Sequence, residues 1–326
     1  THTDSQTASY SDGYGSSSNI FYVTNNIGPI YPLYVRDAEG RITYDNGMKV
    51  YDANQTNFTR PSIVGNAVRD NEVNRKRNYS DMVSGKIGLV ISPFEGFSLT
   101  GNIGLTNGNR RHNALYSEFG SSSSTDGQTY VSHERDFAVN CQLLGTYKTD
   151  FSGTGHKLEV LAGYELYRLK IQQLDGQNER LYSPMIGELG NADGSKGKKT
   201  SSYTAEYLTQ GALARVQYDY GEKYFVSGSY RRDGSSRFAK GHRWGDFGSL
   251  SCAWLISREM FMQDIQWINM LKLKASWGVQ GNDNLYPTAS YAMKYYPYSD
   301  NYTHSYNEQT GEYSLTLAYK GNEALT

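Results

Sequence analysis

The sequence predicts an all-β chain that forms part of a large antiparallel transmembrane β-barrel. Three observations support this fold class: the composition, a residue alternation of period two, and a regular change of short and long connections. The 326 residues include 29 Tyr and 34 Gly but only 7 Pro, which favours strands and turns over helices. Apolar stretches are interrupted by Lys, Glu and Arg, and none approaches the ~18–20 residues of a spanning helix. Barrel strands alternate lipid-facing and lumen-facing residues, so this polarity leaves a barrel possible.

Strands are indicated by segments in which every second residue is apolar. In residues 271–277, for example, Leu and Trp side chains alternate with Lys and Ser. About nine or ten such strands are readable, and the clearest lie at 97–105, 137–147, 158–166, 212–220 and 271–277. Each predicted strand has one apolar and one polar face.

The connections between these strands alternate in length. Short turns are predicted at 93–96, 152–155 and 220–223, and long polar connections at 107–133, 172–202, 233–245 and 282–310. This rhythm places the tight turns on one edge of a sheet and the long loops on the other. Outer-membrane barrels have that asymmetry, with short periplasmic turns and long extracellular loops, whereas a soluble β-sandwich scatters its loop lengths.

Aromatic residues cluster beside the short turns: Tyr147, Phe151, Tyr218, Tyr220 and Tyr224. Such a cluster is typical of an aromatic girdle at a membrane interface. Tyr also suits strands anywhere, so this interpretation depends on the position of the residues as well as on their number.

Two regions are distinguished along the chain. Residues 1–77 are predicted to be an extracellular loop region with a hairpin around Asn46-Gly47 and a short helix near 16–27. Residues 78–326 are predicted to be barrel strands and their connecting loops. In the connection 257–270 we expect a helical turn capped by Ser257. The chain starts at Thr1 without an initiator Met, and we interpret it as an excised piece.

No motif in the chain supports an enzyme. The segment Asp233-Gly-Ser-Ser-Arg237 lacks the alternating carboxylates of a calcium loop and the ending of a phosphate loop. The six His show no metal-ligand spacing, and no nucleophile elbow is present. A net charge of −1 gives no nucleic-acid signal. We therefore predict no catalytic residue, no metal and no cofactor.

We expect architectural roles for the residues that stand out. Arg231, Arg232 and Arg237 are predicted to hydrogen-bond neighbouring loops or carboxylates of the lumen. Cys141 and Cys252 fall on the apolar phase of their strands, where packed or lipid-facing thiols are expected.

Three consecutive motifs resemble the barrel signature of SusC/RagA-type TonB-dependent outer-membrane transporters. The chain reads Arg-Arg-Asp-Gly-Ser-Ser-Arg-Phe over 231–238, Trp-x-x-Phe-x-Ser-x-Ser-x-x-Trp over 244–254, and Leu-Lys-Leu-Lys-x-Ser-x-Gly-x-x-Gly-Asn over 271–282. The resemblance covers about 203–325 well and the rest more weakly. Gly248 and Lys274 depart from it, since Pro and Arg are usual there.

The resemblance implies a barrel of ~22 strands with a plugged lumen. Such proteins import glycans or peptides across the outer membrane of Bacteroidetes-type bacteria. TonB acts through the plug, and a SusD-like surface lipoprotein caps the barrel. The plug and the N-terminal domains are expected to lie outside these residues. The implied partners are the lipoprotein, TonB, the substrate and outer-membrane lipid. The candidate ligand- or partner-binding residues at the outer mouth are Arg231, Arg232, Asp233, Arg237 and Trp244.

Two other functions remain open on the residues alone. A soluble extracellular β-rich carbohydrate-binding module would use surface Tyr and Trp to stack on sugars. A β-rich glycoside hydrolase would need two carboxylates ~5–10 Å apart in one cleft. The apolar face of the strands distinguishes these two soluble proteins from a barrel. Only a barrel exposes its apolar face to lipid or detergent.

Overall fold

The computed structural model describes residues 1–7, 25, 31–45, 47–52, 66–119, 126–195, 197–265, 267–284, 294–307 and 309–325. The α-helix α1 (Ala67–Val73) and 3₁₀ turns accompany the strands of this described part, in which residues 25 and 294–295 are also helical. The strands are β1 (His2–Thr7), β2 (Tyr44–Asp45), β3 (Met48–Lys49), β4 (Arg75–Phe94), β5 (Phe97–Tyr116), β6 (Gln128–Phe151), β7 (His156–Glu179), β8 (Lys199–Tyr220), β9 (Tyr224–Ser235), β10 (Trp244–Leu255), β11 (Lys272–Gly278), β12 (Asn301–Asn307) and β13 (Glu312–Tyr319).

Nine strands form one open sheet in the order β1-β4-β5-β6-β7-β8-β9-β10-β11. From β4 to β11, strands that follow each other in sequence are neighbours in the sheet, as in an up-and-down barrel wall. Within the described residues, β1 and β11 are the edges. The predicted all-β fold class is confirmed. The strand β1, which pairs with β4, is not predicted by the sequence pattern.

The sheet has one apolar and one polar face. Residues directly opposite in neighbouring strands share a face. Leu250 lies opposite Gly228 and Trp277, whereas its neighbour Ser251 lies opposite Ser227 and Ser276. We call the side of Leu250 the apolar face and the side of Ser251 the polar face. The predicted phase of Cys252 is confirmed, since it pairs with Val226 on the apolar face.

The predicted rhythm of connections is confirmed from β4 to β10, with short turns at 95–96, 152–155 and 221–223 and longer connections at 117–127, 180–198 and 236–243. The β10–β11 connection, 256–271, departs from it, because it lies on the short-turn edge and is longer than 236–243. The long connections are nevertheless shorter than expected. Residues 107–116 and 128–133 are strand, as are 172–179 and 199–202. Polar side chains on both faces hide these strand ends from a pattern search, while the ladder depends only on main-chain groups.

Two local predictions have a different outcome. The expected helical turn in the β10–β11 connection is present as two 3₁₀ turns, Ile256–Arg258 and Met260–Met262. Neither has a side-chain cap hydrogen bond, so the expected Ser257 cap was wrong. The hairpin β2–β3 confirms the turn after Asp45, although Asn46 itself lies outside the described residues. The expected helix at 16–27 also lies outside them, apart from Asn25.

No helix in the described part of the chain combines the length and the apolar character needed to cross a membrane.

The chain consists of two compact units. Unit 1 comprises 1–83, 108–135 and 172–204, and unit 2 comprises 84–107, 136–171 and 205–326. In unit 1, Asn66 is buried and caps α1 by accepting hydrogen bonds from the backbone of Val68 and Arg69. Its amide donates to the carbonyls of Leu33 and Asp52, at 2.9 and 3.1 Å. Asn66 thus joins α1 to the 31–52 segment. The residue pattern does not predict α1.

Candidate functional site

The polar face of unit 2 carries a cleft of about 810 Å³. Strands β4 to β10 and the 280–283 segment contribute to its lining. Polar and aromatic side chains dominate: Lys86, Asn102, Asn140, Gln142, Glu165, Tyr167, Tyr207, Thr209, Arg231, Asp233, Ser235, Phe247 and Asp283. This cleft is the candidate functional site.

A chain of hydrogen bonds crosses the cleft from β5 to β9. Asn102 donates to Gln142 at 3.1 Å, and Gln142 donates to Glu165 at 2.6 Å. The other oxygen of Glu165 lies 2.8 Å from Nη1 of Arg231. The Nε atom of Arg231 is 2.7 Å from each carboxylate oxygen of Asp233. One guanidinium therefore joins two carboxylates, a charge-assisted arrangement that orients all three side chains.

The bond from Arg231 to Glu165 has to pass over strand β8, which lies between β7 and β9. The β8 residue opposite Asp233 is Gly211. A Cβ atom on Gly211 would lie only 2.0 Å from Oδ1 of Asp233 and 3.3 Å from a guanidinium nitrogen of Arg231. The missing side chain of Gly211 is thus what lets Arg231 and Asp233 lie across β8.

Arg237 holds a second polar cluster beside the cleft. Its side chain is only 8% exposed. Its Nη1 donates to the carbonyl of Asp283 at 3.0 Å and lies 3.2 Å from the Asp283 carboxylate. Tyr207 and Ser235 also donate to that carboxylate, at 2.6 and 2.7 Å. The guanidinium packs over the rings of Tyr207 and Tyr295, at 4.3 and 5.6 Å. Arg237 therefore ties the 236–243 connection to the 282–284 segment.

Arg232 and Trp244 lie on the apolar face, on the opposite side of the sheet from Arg231. Arg232 is opposite Asp246 in the sheet, and Trp244 is opposite Gly234. The guanidinium of Arg232 lies 5.7 Å from the indole of Trp244 and 3.8 Å from Asp246. Arg232 and Asp246 are thus a charged pair at the end of the β9–β10 strand pair, whose side chains on this face are otherwise mostly apolar.

The structure thus separates the five residues that the sequence grouped. Arg231 and Asp233 lie in the cleft, Arg232 lies on the other face, and Arg237 is a buried anchor. The register places Trp244 on the face of Arg232, but Trp244 also contributes to the lining of the cleft. The prediction that Arg231 and Arg237 hydrogen-bond a carboxylate and a neighbouring loop is confirmed. Glu165, Gln142 and Gly211 were missed. Alternation places Glu165 on the polar phase, but it does not reveal that its partner lies two strands away.

A comparison with protein-family models finds no match for this chain. Curated relatives carry a common description. The chain is 27% identical over 225 residues to a TonB-dependent receptor P39 of Formosa agariphila, which covers 68% of this chain and 21% of that protein. It is 32% identical over 116 residues to the TonB-dependent receptor SusC of Bacteroides thetaiotaomicron, covering 33% of this chain and 12% of that protein. The chain thus spans about a fifth or less of these relatives.

Solved structures share the fold. The structure of the RagAB peptide transporter superposes with a TM-score of 0.72 at 22% identity, covering 86% of this chain and 30% of that chain. The closed-closed state of the RagAB peptide importer gives a TM-score of 0.69 at 21% identity, over 89% of this chain and 30% of that chain.

The sheet with two distinct faces and the match to a barrel structure define the class: the chain is a wall segment of an outer-membrane β-barrel protein. The curated relatives specify the type, and the motif resemblance is confirmed. This chain is similar to SusC/RagA-type TonB-dependent outer-membrane proteins, as the motifs indicate.

Proposed function

We propose that this chain forms part of the wall of a TonB-dependent importer that carries a glycan or peptide nutrient across the outer membrane. The observation that supports this function best is the polar face of unit 2, where a hydrogen-bonded chain from Asn102 to Asp233 lines a cleft of about 810 Å³. A lumen needs such a hydrated wall, while the opposite face needs the apolar residues that meet lipid.

The names of the relatives support a proposal for the partners. RagAB structures are described as a peptide transporter, and SusC is described as TonB-dependent. We propose that a SusD-like lipoprotein covers the outer mouth and that TonB acts through a plug outside these residues. Residues 1–77, apart from β1, would be an extracellular region, and 78–326 would be the barrel wall with its loops.

The five candidate residues then have three roles. Arg231 and Asp233 face the lumen and contact the passing nutrient. Arg232 and Trp244 end the apolar face, where they meet lipid headgroups or the lipoprotein. Arg237 contributes by holding the loop segments that surround the mouth.

The first test is growth of the native bacterium, with the full-length gene replaced, on a panel of peptides and glycans. Replacing Arg231 by Ala leaves two carboxylates without their shared cation, so uptake of the cognate nutrient should fall about tenfold at an unchanged surface level. Replacing Arg237 by Ala should instead lower the surface level, because Asp283 loses its buried partner.

Normal growth of the Arg231→Ala strain on every nutrient that the wild type imports would remove this residue from the proposed path. Recovery of the full-length wild-type protein in the aqueous fraction would contradict import as a whole. In that case the carbohydrate-binding module would become the better explanation.

A further inference from the structure

Lys86 lies on the polar phase of β4, at the end of the cleft that β4 to β7 line. Two contacts set its position against β5. Ser84 and Thr106 hydroxyls are 3.1 Å apart, and a Cβ atom on Gly88 would lie 2.9 Å from Oδ1 of Asn102. This register places Gly104 of β5 beside Lys86, in the middle between the two contacts.

Gly104 leaves an opening on the wall at this point. Its absent Cβ atom would lie 3.9 Å from the Cβ atom of Asn140 on β6. Lys86, Gly104, Asn140 and Tyr167 all line the cleft, and the same four residues also line a shallower depression of about 550 Å³ next to it. Three hydrogen-bond donors, one each from β4, β6 and β7, therefore lie around the space that the missing side chain of Gly104 leaves above β5.

These donors have no hydrogen-bond or ion-pair partner within the described part of the chain, although the negative charge of Asp136 on β6 acts on the Tyr167 hydroxyl. Lys86 has no carboxylate within 4.0 Å there, and neither the Asn140 amide nor the Tyr167 hydroxyl makes a hydrogen bond with a described residue. Two other cations on this face are paired: Lys148 lies 3.1 Å from Glu159, and Arg231 joins two carboxylates.

No free carboxylate of the cleft competes for Lys86. Each acidic residue in the cleft lining has an arginine partner: Glu165 and Asp233 share Arg231, Asp246 is 3.8 Å from Arg232, and Asp283 is 3.2 Å from Arg237. An ammonium with two neutral donors and no counter-charge is suited to a carboxylate, which accepts hydrogen bonds on both oxygens.

We propose that Lys86, Asn140 and Tyr167 form a subsite for a carboxylate group of the imported nutrient. The group is the C-terminus of a peptide or the carboxylate of an acidic sugar, since both present the same chemistry. This inference rests on the proposed import function and narrows it, because nutrients with a free carboxylate are preferred over otherwise identical neutral ones.

The test is equilibrium binding to the purified full-length protein in detergent, with two pairs of probes. Tetraalanine is compared with tetraalaninamide, and trigalacturonic acid with its methyl ester. In the wild type, the carboxylate member of at least one pair should bind about tenfold more tightly. The pair that shows the difference identifies the source. Lys86→Met should abolish the preference, and Tyr167→Phe should reduce it.

Lys274→Met is the matched control. Lys274 is also an unpaired lysine of the polar face within the described residues, but it lies outside the cleft lining. The preference should survive this change. Equal affinity for both members of both pairs, or a preference that persists in Lys86→Met, would overturn the subsite. The wild type could also show no preference while Lys86→Met lowers its melting temperature. That result would show that a carboxylate of the protein itself pairs with Lys86, and it too would overturn the subsite. Binding to the purified protein requires neither TonB nor uptake. A failure of the proposed import function would therefore appear in the growth test, and a failure of the subsite in the binding test.

Discussion

At the residue scale, the most consequential position of the cleft is one without a side chain. Arg231 and Glu165 sit two strands apart, and they meet only because Gly211 leaves the surface of β8 open between them. The atom in the way of a larger residue is the end of the Asp233 side chain and not backbone. A substitution should therefore displace the ionic cluster and leave the sheet intact.

Gly211→Ala tests this directly. The added methyl group pushes Asp233 aside, so Arg231 loses one carboxylate and its fixed position toward Glu165. The free energy of unfolding should fall by only about 0.5–1 kcal/mol, because Arg231 and Asp233 are partly exposed and water screens their attraction. Thermal unfolding of the purified full-length protein measures the stability, and nutrient uptake should decrease with it.

Gly248→Ala is the control for this substitution. Its new Cβ atom would meet only the Ser229 carbonyl, at an ordinary 3.8 Å. An equal loss of uptake in both variants would show that the cluster at Arg231 has no special role.

At the scale of the element, the short-turn edge is held by ionic contacts between successive connections. The turn from β8 to β9 has two central residues with positive φ, Gly221 and Glu222, as a type I′ turn requires. The Glu222 carboxylate binds Lys157 at the start of β7, at 2.8 Å, and also Arg258 in the β10–β11 connection. The β8–β9 turn thus forms ion pairs with the start of β7 on one side and with the β10–β11 connection on the other.

Aromatic side chains follow the same edge. Tyr220 stacks on Tyr224 at 6.3 Å, and Tyr224 stacks on Trp254 at 6.4 Å. Glu259 accepts hydrogen bonds from the Tyr224 hydroxyl, the Trp254 indole and the Lys223 ammonium, at 2.7, 3.0 and 3.1 Å. The aromatic girdle predicted from the sequence remains an interpretation, and this row of rings supports it.

The pH dependence of the turn contact follows from its charges. Hydrogen bonds from Lys157 and Arg258 lower the pKa of Glu222 from 4.5 to about 2. A carboxyl group with a lowered pKa in the folded state stabilises that state above its ordinary pKa, and the contribution disappears as the pH falls toward 2. Glu222→Gln should therefore be less stable than the wild type at pH 7, and the difference should vanish near pH 2. Thermal unfolding across this pH range measures it.

Glu95→Gln is the matched control for this prediction. Glu95 also lies in a short turn, but it has no ion pair within the described residues. Its substitution should leave the melting temperature unchanged at every pH. A constant difference between Glu222→Gln and the wild type from pH 7 to pH 2 would contradict the ionic explanation.

At the scale of the whole molecule, the sheet separates two environments. The apolar face of β8 to β11 exposes large side chains, with Leu250 59% and Trp277 69% accessible. A soluble protein rarely exposes a contiguous apolar surface of this kind, whereas a barrel presents it to lipid. The polar face carries the hydrogen-bonded cleft instead.

A pair of neighbouring substitutions distinguishes the faces. Leu250→Arg places a charge among lipid-facing residues and should destabilise the folded barrel by about 2–4 kcal/mol if it lies near the centre of the bilayer. Ser251→Arg, one residue away on the polar face, should be tolerated. The amount of full-length protein in the outer-membrane fraction measures both effects, and equal yields of the two variants would show that the faces are assigned wrongly.

How much could be read from the sequence depends on the range of the interaction. Alternation in residues such as Leu271, Leu273 and Trp277 predicts strands, because side chains in a strand alternate between faces regardless of the neighbouring strand. It fails where both faces are polar, as in the last residues of β5 and β7, and it does not detect α1. The motif that contains Arg231 and Arg237 indicated that these arginines have architectural roles. It did not show that Arg231 lies in the cleft and Arg237 in a buried cluster beside it.

The all-β class, the two-faced strands, the short turns between β4 and β9 and the resemblance to SusC/RagA-type proteins are readable in the amino-acid sequence, because they follow from local backbone periodicity and from contiguous motifs. The contact of Arg231 with Glu165 across Gly211, the position of Arg232 on the other face and the absence of a counter-charge at Lys86 among the described residues are not readable there. These relations depend on strand register, which brings together residues far apart in the chain.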